Sequence, residues 1–293
     1  MAAPPGHPRA DDGHRPVFLL GAPEPSWLRR EGSVWEGNEH IPLFVSYSRM
    51  RRLQHTLPRA RGPWALDSSG YMHLRRRSPT DPPARWSIEP QRYIDDIRRY
   101  RAEVGQLLWA AQMDYMVEAE IRASTGLSTL EHQRLTTENL LLLRSLAPEL
   151  PIVPSLQGWT PGEYRRHRRM YAAAGIDLRE EPLVGLGSVC RRQASIPIHF
   201  LIKELAEDGI RLHAYGFGIP GLSMSGHHLV SADSQAWSLN ARRNPGGFPQ
   251  CTHRSCSYCP RWALAWHRDI VDRDLATAVH GNTPALRAST PAP

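Results

Sequence analysis

Eight short runs of β-favouring residues recur along the chain, with helical periodicity between several of them. They fall at Val17–Gly21, Pro42–Ser46, Trp64–Asp67, Leu108–Asp114, Ile152–Gln157, Leu183–Ser188, Arg211–Phe217 and Leu229–Asp233. Apolar residues at 3.6-residue spacing predict helices over Gln91–Val104, Leu130–Leu146, Pro161–Ala174 and Pro197–Asp208, and a last one at about Arg261–Ala278. Thr160 before Pro161 is a helix start, and Gly175 and Gly209 stand where helices should stop. Eight strands alternating with helices point to an α/β fold of the (β/α)8 TIM-barrel kind. A doubly wound open sheet is the competitor, because the connections after strands one, two and seven are short or irregular. No GxGxxG or Walker-type phosphate loop supports that alternative.

A chain of 293 residues suits one such barrel. The barrel is expected over 16–280, between tails at 1–15 and 281–293 that are poor in core formers. The first tail lacks the apolar core of a secretory signal, and no run approaches the roughly 18 apolar residues of a membrane helix. The expectation is a cytoplasmic protein with no membrane partner.

Barrel active sites form where strands end, so the residues at those ends carry the functional reading. Strand three ends in Asp67-Ser68-Ser69-Gly70, strand four in Asp114, strand five in Gln157-Gly158 and strand eight in Asp233-Ser234. A single Asp there is commonly a cap or turn residue. Three carboxylates and an amide converging on one mouth are a different matter, since gathering like charges in a pocket costs energy. Gly185 and Gly187 on strand six would let a flat ligand approach the backbone. Their alternative is close packing inside the barrel.

The net charge of +7 fits a polyanionic partner, although Arg-rich composition alone is weak support. Position strengthens it. Arg29-Arg30, Arg51-Arg52, Arg75-Arg76-Arg77, Arg191-Arg192 and Arg242-Arg243 all follow strands and would ring the acidic mouth. That suits a polymer whose one reacting unit enters the pocket. Arg165–Arg169 lies on a helix and reads as a solvated face.

Three of the four cysteines, Cys251, Cys256 and Cys259, crowd into nine residues, a spacing that indicates a metal site. His253 inside the loop is the favoured fourth ligand of a structural Zn2+, with His267 on the following helix as the alternative. The zinc-binding segment is thus 251–267, set within the barrel domain. Cys190 reads as a packed core residue rather than a nucleophile.

These segments together resemble the tRNA-guanine transglycosylase superfamily. Asp67-Ser68-Ser69-Gly70 resembles its Asp-Ser-Gly-Gly-Phe motif, with Tyr71 in the aromatic place. Gln157-Gly158 resembles its Gln-Gly motif, and Val184-Gly185-Leu186-Gly187 its Gly-Gly-Leu segment. Ser231-Ala232-Asp233-Ser234 stands where the family carries its nucleophile, and the cysteines follow as the family's zinc site does. The order agrees from about residue 40 to 270. Ser69 replaces the family's first Gly, and the x4/x2 cysteine spacing differs from the usual x1/x2. His213-Ala214-Tyr215-Gly216 and Ala232–Trp237 are most similar to the branch that inserts 7-deazaguanines into DNA.

The resemblance implies a pentosyltransferase exchanging guanine in DNA for a 7-deazaguanine such as 7-cyano-7-deazaguanine. Asp233 would be the nucleophile that forms a covalent glycosyl intermediate, and Asp67 the acid and base. Asp114 would accept from guanine N1–H and the 2-amino group, with Ser68 beside it. Gln157 would donate to O6, and the backbone at Gly185 and Leu186 would line the base edge. Tyr71 and Met113 are candidates to stack on the base. Homodimers and partner modification proteins are compatible with the family. Action on tRNA, hydrolysis of a free deazapurine nucleoside and non-catalytic zinc-dependent nucleic-acid binding are the rival readings. A metal-dependent hydrolase barrel would want His pairs at strand ends, where His213 stands alone.

Overall fold

A computed structural model describes residues 15–78, 80–243, 251 and 255–272. The expected tails lie outside the described residues, except for Arg15, which donates to the main-chain oxygen of Val271. His253 also lies outside them.

Nine parallel strand segments form one sheet: β1 (Val17–Ala22), β2 (Leu43–Ser46), β3 (Trp64–Asp67), β4 (Leu107–Ala111), β5 (Ile152–Val153), β6 (Ser155–Leu156), β7 (Val184–Leu186), β8 (Leu212–Ala214) and β9 (Ser231–Ser234). Their hydrogen-bonded order is β5-β4-β3-β2-β1-β9-β8-β7-β6. The two ends of that order are consecutive in the chain and separated only by Pro154. Residues before Pro154 pair with β4 and residues after it with β7. The Pro154 carbonyl accepts from the Gly185 N–H at 2.8 Å. The fifth expected strand is therefore one stave, interrupted at a residue with no N–H to give. The ring closes as the expected (β/α)8 barrel.

Helices join the staves: α1 (Tyr47–Met50), α2 (Gly70–Leu74), α3 (Pro90–Glu103), α4 (Ala119–Thr125), α5 (Thr129–Leu146), α6 (Pro161–Ala173), α7 (Ile196–Glu207), α8 (Ile219–Ser225), α9 (Ala236–Arg243) and α10 (Pro260–Asp272). The long ones match the sequence expectation to within a residue or two where they are described. Ser128 with Glu131, and Thr160 with Glu163, form capping boxes that satisfy the first free amides of α5 and α6. Proline occupies the first turn of α3, α6 and α7, where a missing N–H costs nothing. The arginines of α6 are not simply solvated. Arg165 pairs with Glu204 and Arg168 with Asp208, tying α6 to α7.

Strand side chains alternate between two cores. Phe18 and Leu20 on β1 face the helices, whereas Leu19 joins Phe44, Ala65, Trp109, Ala111, Val153 and Leu183 inside the barrel. This interior plug is apolar. Toward the C-terminal ends of the strands it gives way to His213, Ser155 and then the acidic groups.

The C-terminal elements seal β1. Trp237 of α9 is fully buried, stacks on Trp27 at 5.4 Å and donates to the Gly21 carbonyl at 3.0 Å. Trp266 of α10 meets Phe18 edge-on at 5.5 Å. Among the described residues, no helix is long and apolar enough to cross a membrane.

Candidate active site

Parallel strands put all their C-terminal ends on one face, and a cavity of about 200 Å3 opens there. It is lined by Asp67, Ser68 and Tyr71 from the β3 end, by Asp114, and by Gln157 and Ser188 from the β6 and β7 ends. Its size is below the roughly 300–1,000 Å3 of ordinary ligand pockets, which suits one small flat molecule.

Asp67 is the last residue of β3, and burial pushes its carboxyl up to about 7 from an ordinary 3.8. Neighbouring Asp233 and, less so, Asp114 push in the same direction, while the N–H and hydroxyl of Ser69 oppose them. Ser69 adopts a left-handed backbone at φ 63°, an uncommon state for a residue with a Cβ. Its hydroxyl also lies 2.7 Å from that of Ser46 and accepts from the Ser48 N–H at 3.0 Å, which ties the β2 and β3 ends together.

Asp114 is raised to about 6, chiefly by burial. One of its oxygens accepts a short hydrogen bond from Gln157 Nε2, and the other faces the Ser68 hydroxyl at 3.4 Å. Gln157 Oε1 lies 2.8 Å from Ser188 Oγ, and its main-chain N–H donates to buried His167 Nδ1 at 2.8 Å. The amide is thus held at both ends. One of its two Nε2 hydrogens is committed to Asp114.

Asp233 sits within β9, opposite Leu19 of β1. Its Oδ1 accepts from the Gly216 N–H at 3.0 Å and lies 3.2 Å from Nε2 of fully buried His213. Nδ1 of His213 lies 2.9 Å from Ser231 Oγ. The ring is clamped edge-on by Trp109 and Tyr215 at 4.8 and 5.0 Å.

Several expected contacts fall elsewhere. Met113 is only 1% exposed and packs in the helix-facing core, because the chain has already left β4 at Ala111. Met116 and Met72 border the pocket instead. Leu186 is also fully in that core, and neither it nor Gly185 borders the pocket. Amides flanking Leu186 are occupied by the barrel ladder, Gly185 donating to Pro154 and Gly187 to Leu156 at 3.0 Å. A Cβ on Gly185 would lie 2.3 Å from the Tyr215 hydroxyl, and one on Gly187 2.1 Å from Gln157 Nε2. These glycines make room for the protein's own site residues. Cys190 is exposed and borders the pocket rather than packing in the core.

Four lining or supporting groups have no site role in the sequence reading: Glu118, Ser188, Tyr215 and, as a partner of Asp233, His213. Glu118 lies seven residues past β4, and burial raises its carboxyl. It meets Ser188 Oγ at 2.9 Å. No strand-end rule could have pointed to it.

Some arginines of the expected rim are spoken for by the protein itself. Arg30 is 2% exposed and donates to the carbonyls of Ile41 and Pro63 at 2.9 Å, a structural role. Arg192 lies over the Trp159 ring at 3.9 Å, and Arg191 pairs with Glu120 at 2.9 Å. Arg51, Arg52, Arg75, Arg77, Arg242 and Arg243 are exposed.

Cys251, Cys256 and Cys259 bring their sulfurs within 4.8 Å of one another, a cluster that could hold a metal ion. Cys256 and Cys259 are buried in the core under α9 and α10. His267 is not part of the cluster; its Nε2 lies 3.4 Å from the Phe18 carbonyl.

No curated protein matches this chain. A crystal structure from Coccidioides immitis, described as a fructose-1,6-biphosphate aldolase, superposes at a TM-score of 0.50 with 11% identity, covering 88% of this chain and 90% of that one. At such identity the likeness concerns the barrel alone. A family model for DpdA, DeoxyPurine in DNA protein A, matches residues 14–290. The chain therefore belongs to the DpdA family, the DNA-directed branch of the tRNA-guanine transglycosylase superfamily, and is a pentosyl-transferring enzyme.

Proposed function

We propose that this enzyme replaces guanine in DNA by a 7-deazaguanine, with 7-cyano-7-deazaguanine as the incoming base, through a glycosyl ester on Asp233. The observation that carries the reading is the convergence of Asp67, Asp114 and Asp233 at the barrel mouth, where one carboxyl is raised to about 7 and another to about 6. Phosphate binding alone requires no buried acids.

Breaking the bond between C1′ and N9 leaves positive charge on the sugar and an electron pair on the purine. Asp233 is held through Oδ1 by Gly216 and His213, so Oδ2 is left to bond C1′. An ionised Asp233 only accepts, so its contact with His213 calls for the ring proton on Nε2, with the Ser231 hydroxyl donating to Nδ1. Asp67, poised near neutrality, gives a proton to the departing guanine and takes one from the incoming base. N9 of that base then attacks C1′ and Asp233 is released, so configuration is retained over two inversions. Asp114 accepts from N1–H and the 2-amino group, and the other Nε2 hydrogen of Gln157 reaches O6. Tyr71, half-buried on the pocket wall, supplies the stacking face. The base must leave the helix stack to enter so small a cavity.

Zinc fits the cysteine cluster. Thiolates are its preferred ligands, and a closed site fastens the loop to α9 and α10 without joining the chemistry. His253 would complete it. Purified protein is expected to carry one zinc per chain by elemental mass spectrometry. Chelation or Cys256→Ser should lower the Tm. A metal-free preparation whose Tm is indifferent to chelator would contradict the assignment.

Base exchange is tested by incubating protein with radiolabelled guanine and either DNA or bulk tRNA. Label is expected to enter DNA, and Asp233→Ala to lose roughly a thousandfold or more of that activity. Incorporation into tRNA alone, or an active Asp233→Ala protein, would overturn the reading.

The raised Asp67 carboxyl also predicts a pH-dependent stability. Its folded value of about 7 lies above the ordinary 3.8, so the folded state keeps a proton that the unfolded state gives up. This contribution is complete below about pH 4 and is lost as pH rises through about 7. Asp67→Asn should therefore raise Tm at about pH 8 and change it little at about pH 4. An equal shift at both, or a loss at about pH 8, would refute the account.

A further inference from the structure

A second and larger cavity of about 700 Å3 lies beside the Ser46–Ser48 segment that borders the base pocket. Its walls carry Arg51 and Arg52 from the end of α1, His73 from α2, and Arg92, Asp96 and Arg99 from α3. The two cavities share elements: Ser46 lines one and Ser48 the other, and α2 contributes Tyr71 and Met72 to one and His73 to the other.

The charges do not cancel. Asp96 is buried, meets Arg92 at 3.1 Å and accepts from the Tyr47 hydroxyl at 2.7 Å, so its charge is matched. Arg99 pairs with Glu103 at 3.0 Å. Arg51 and Arg52 are exposed and, among the described residues, form no ion pair. On α2, the His73 ring stacks on Trp86 at 4.8 Å, and its Nδ1 lies 2.9 Å from Ser87 Oγ. Its Nε2 is buried with no hydrogen-bond partner. An unpartnered buried polar atom is costly and marks a place where a ligand can complete the bonding. Nδ1 and the Ser87 hydroxyl can pair in either direction, and the pairing with Ser87 as donor leaves the ring proton on Nε2, where it can serve a ligand. Burial and the nearby Arg51 lower the imidazole's proton affinity, so it offers a neutral N–H.

Two free guanidinium groups and an unused N–H around a roomy cleft match the oxygens of a phosphodiester. We propose that this cleft holds the backbone phosphates adjoining the target nucleotide of a single DNA strand, an inference that rests on the base-exchange reading. A base inserted in the neighbouring pocket leaves its sugar at the mouth, and a strand that continues past Ser46–Ser48 meets a surface that accepts negative charge. The cleft provides it. It positions the strand and touches no reacting atom.

The test compares wild type with Arg51→Ala/Arg52→Ala in the full chain, using a fluorescent single-stranded DNA oligonucleotide as probe across a salt series. Each lost phosphate contact reduces the slope of log affinity against log salt by about 0.7 for a single strand. The double variant should therefore lose about 1.4 of slope and about tenfold or more in affinity, with Tm unchanged. In labelled-guanine incorporation its KM for DNA should rise while kcat is kept. His73→Phe should weaken binding with a smaller loss of slope. Arg165→Ala/Arg168→Ala removes equal charge from the α6–α7 face and should leave the slope unaltered. Wild-type incorporation with an unchanged slope and KM in the Arg51/Arg52 variant would overturn the cleft while base exchange stands. A wild type that incorporates no label overturns base exchange, and the binding slopes then judge the cleft separately.

Discussion

Gathering carboxyl groups in a half-dry cavity is the constraint around which this molecule is arranged. Asp67, Asp114 and Glu118 are each pushed above their ordinary range, with burial the largest cause. Packing gains nothing from such an assembly, so the surrounding hydrogen bonds must make it tolerable. Ser69 serves Asp67, Gln157 and Ser68 serve Asp114, and His213 with Gly216 serves Asp233. The donors come from several different staves. A closed barrel is the fold that can bring them to one point from elements far apart in sequence.

This arrangement explains two glycines that could have been read as a ligand's landing place. The space a side chain would occupy at Gly187 is filled by Gln157, and that at Gly185 by Tyr215. Their smallness is thus linked to function through a second residue. The same reasoning accounts for the strained backbone of Ser69. A glycine would relax it, but the hydroxyl that joins β2 to β3 and faces Asp67 would be lost.

Much of this was legible in the chain. Every stave coincides with an expected run, since buried parallel strands are written as continuous apolar stretches bounded by polar residues. The four acid and amide positions at strand ends were also readable, because the barrel rule turns a sequence position into a spatial one. Reading failed where regular structure stops. Met113 lies beyond the end of β4, where two-residue alternation no longer says which way a side chain points. Helices α2, α4 and α8 are too short to show a period, so the placement of His73 and Glu118 stayed hidden. Arg30 was taken with its neighbours as rim charge, yet it is buried and donates to carbonyls of two separate loops, a long-range pairing that local sequence does not record. In contrast, the Cys251, Cys256 and Cys259 cluster was plain from spacing alone.

The central claim is that Asp233 bonds the sugar. The most direct measurement incubates the enzyme with a DNA oligonucleotide in the absence of free base, denatures the mixture, and maps any DNA-linked peptide by mass spectrometry. The account predicts a nucleotide adduct on the peptide containing Asp233 that disappears when excess guanine is added before denaturation. An adduct on Asp67, or base exchange proceeding under conditions that trap none, would contradict it.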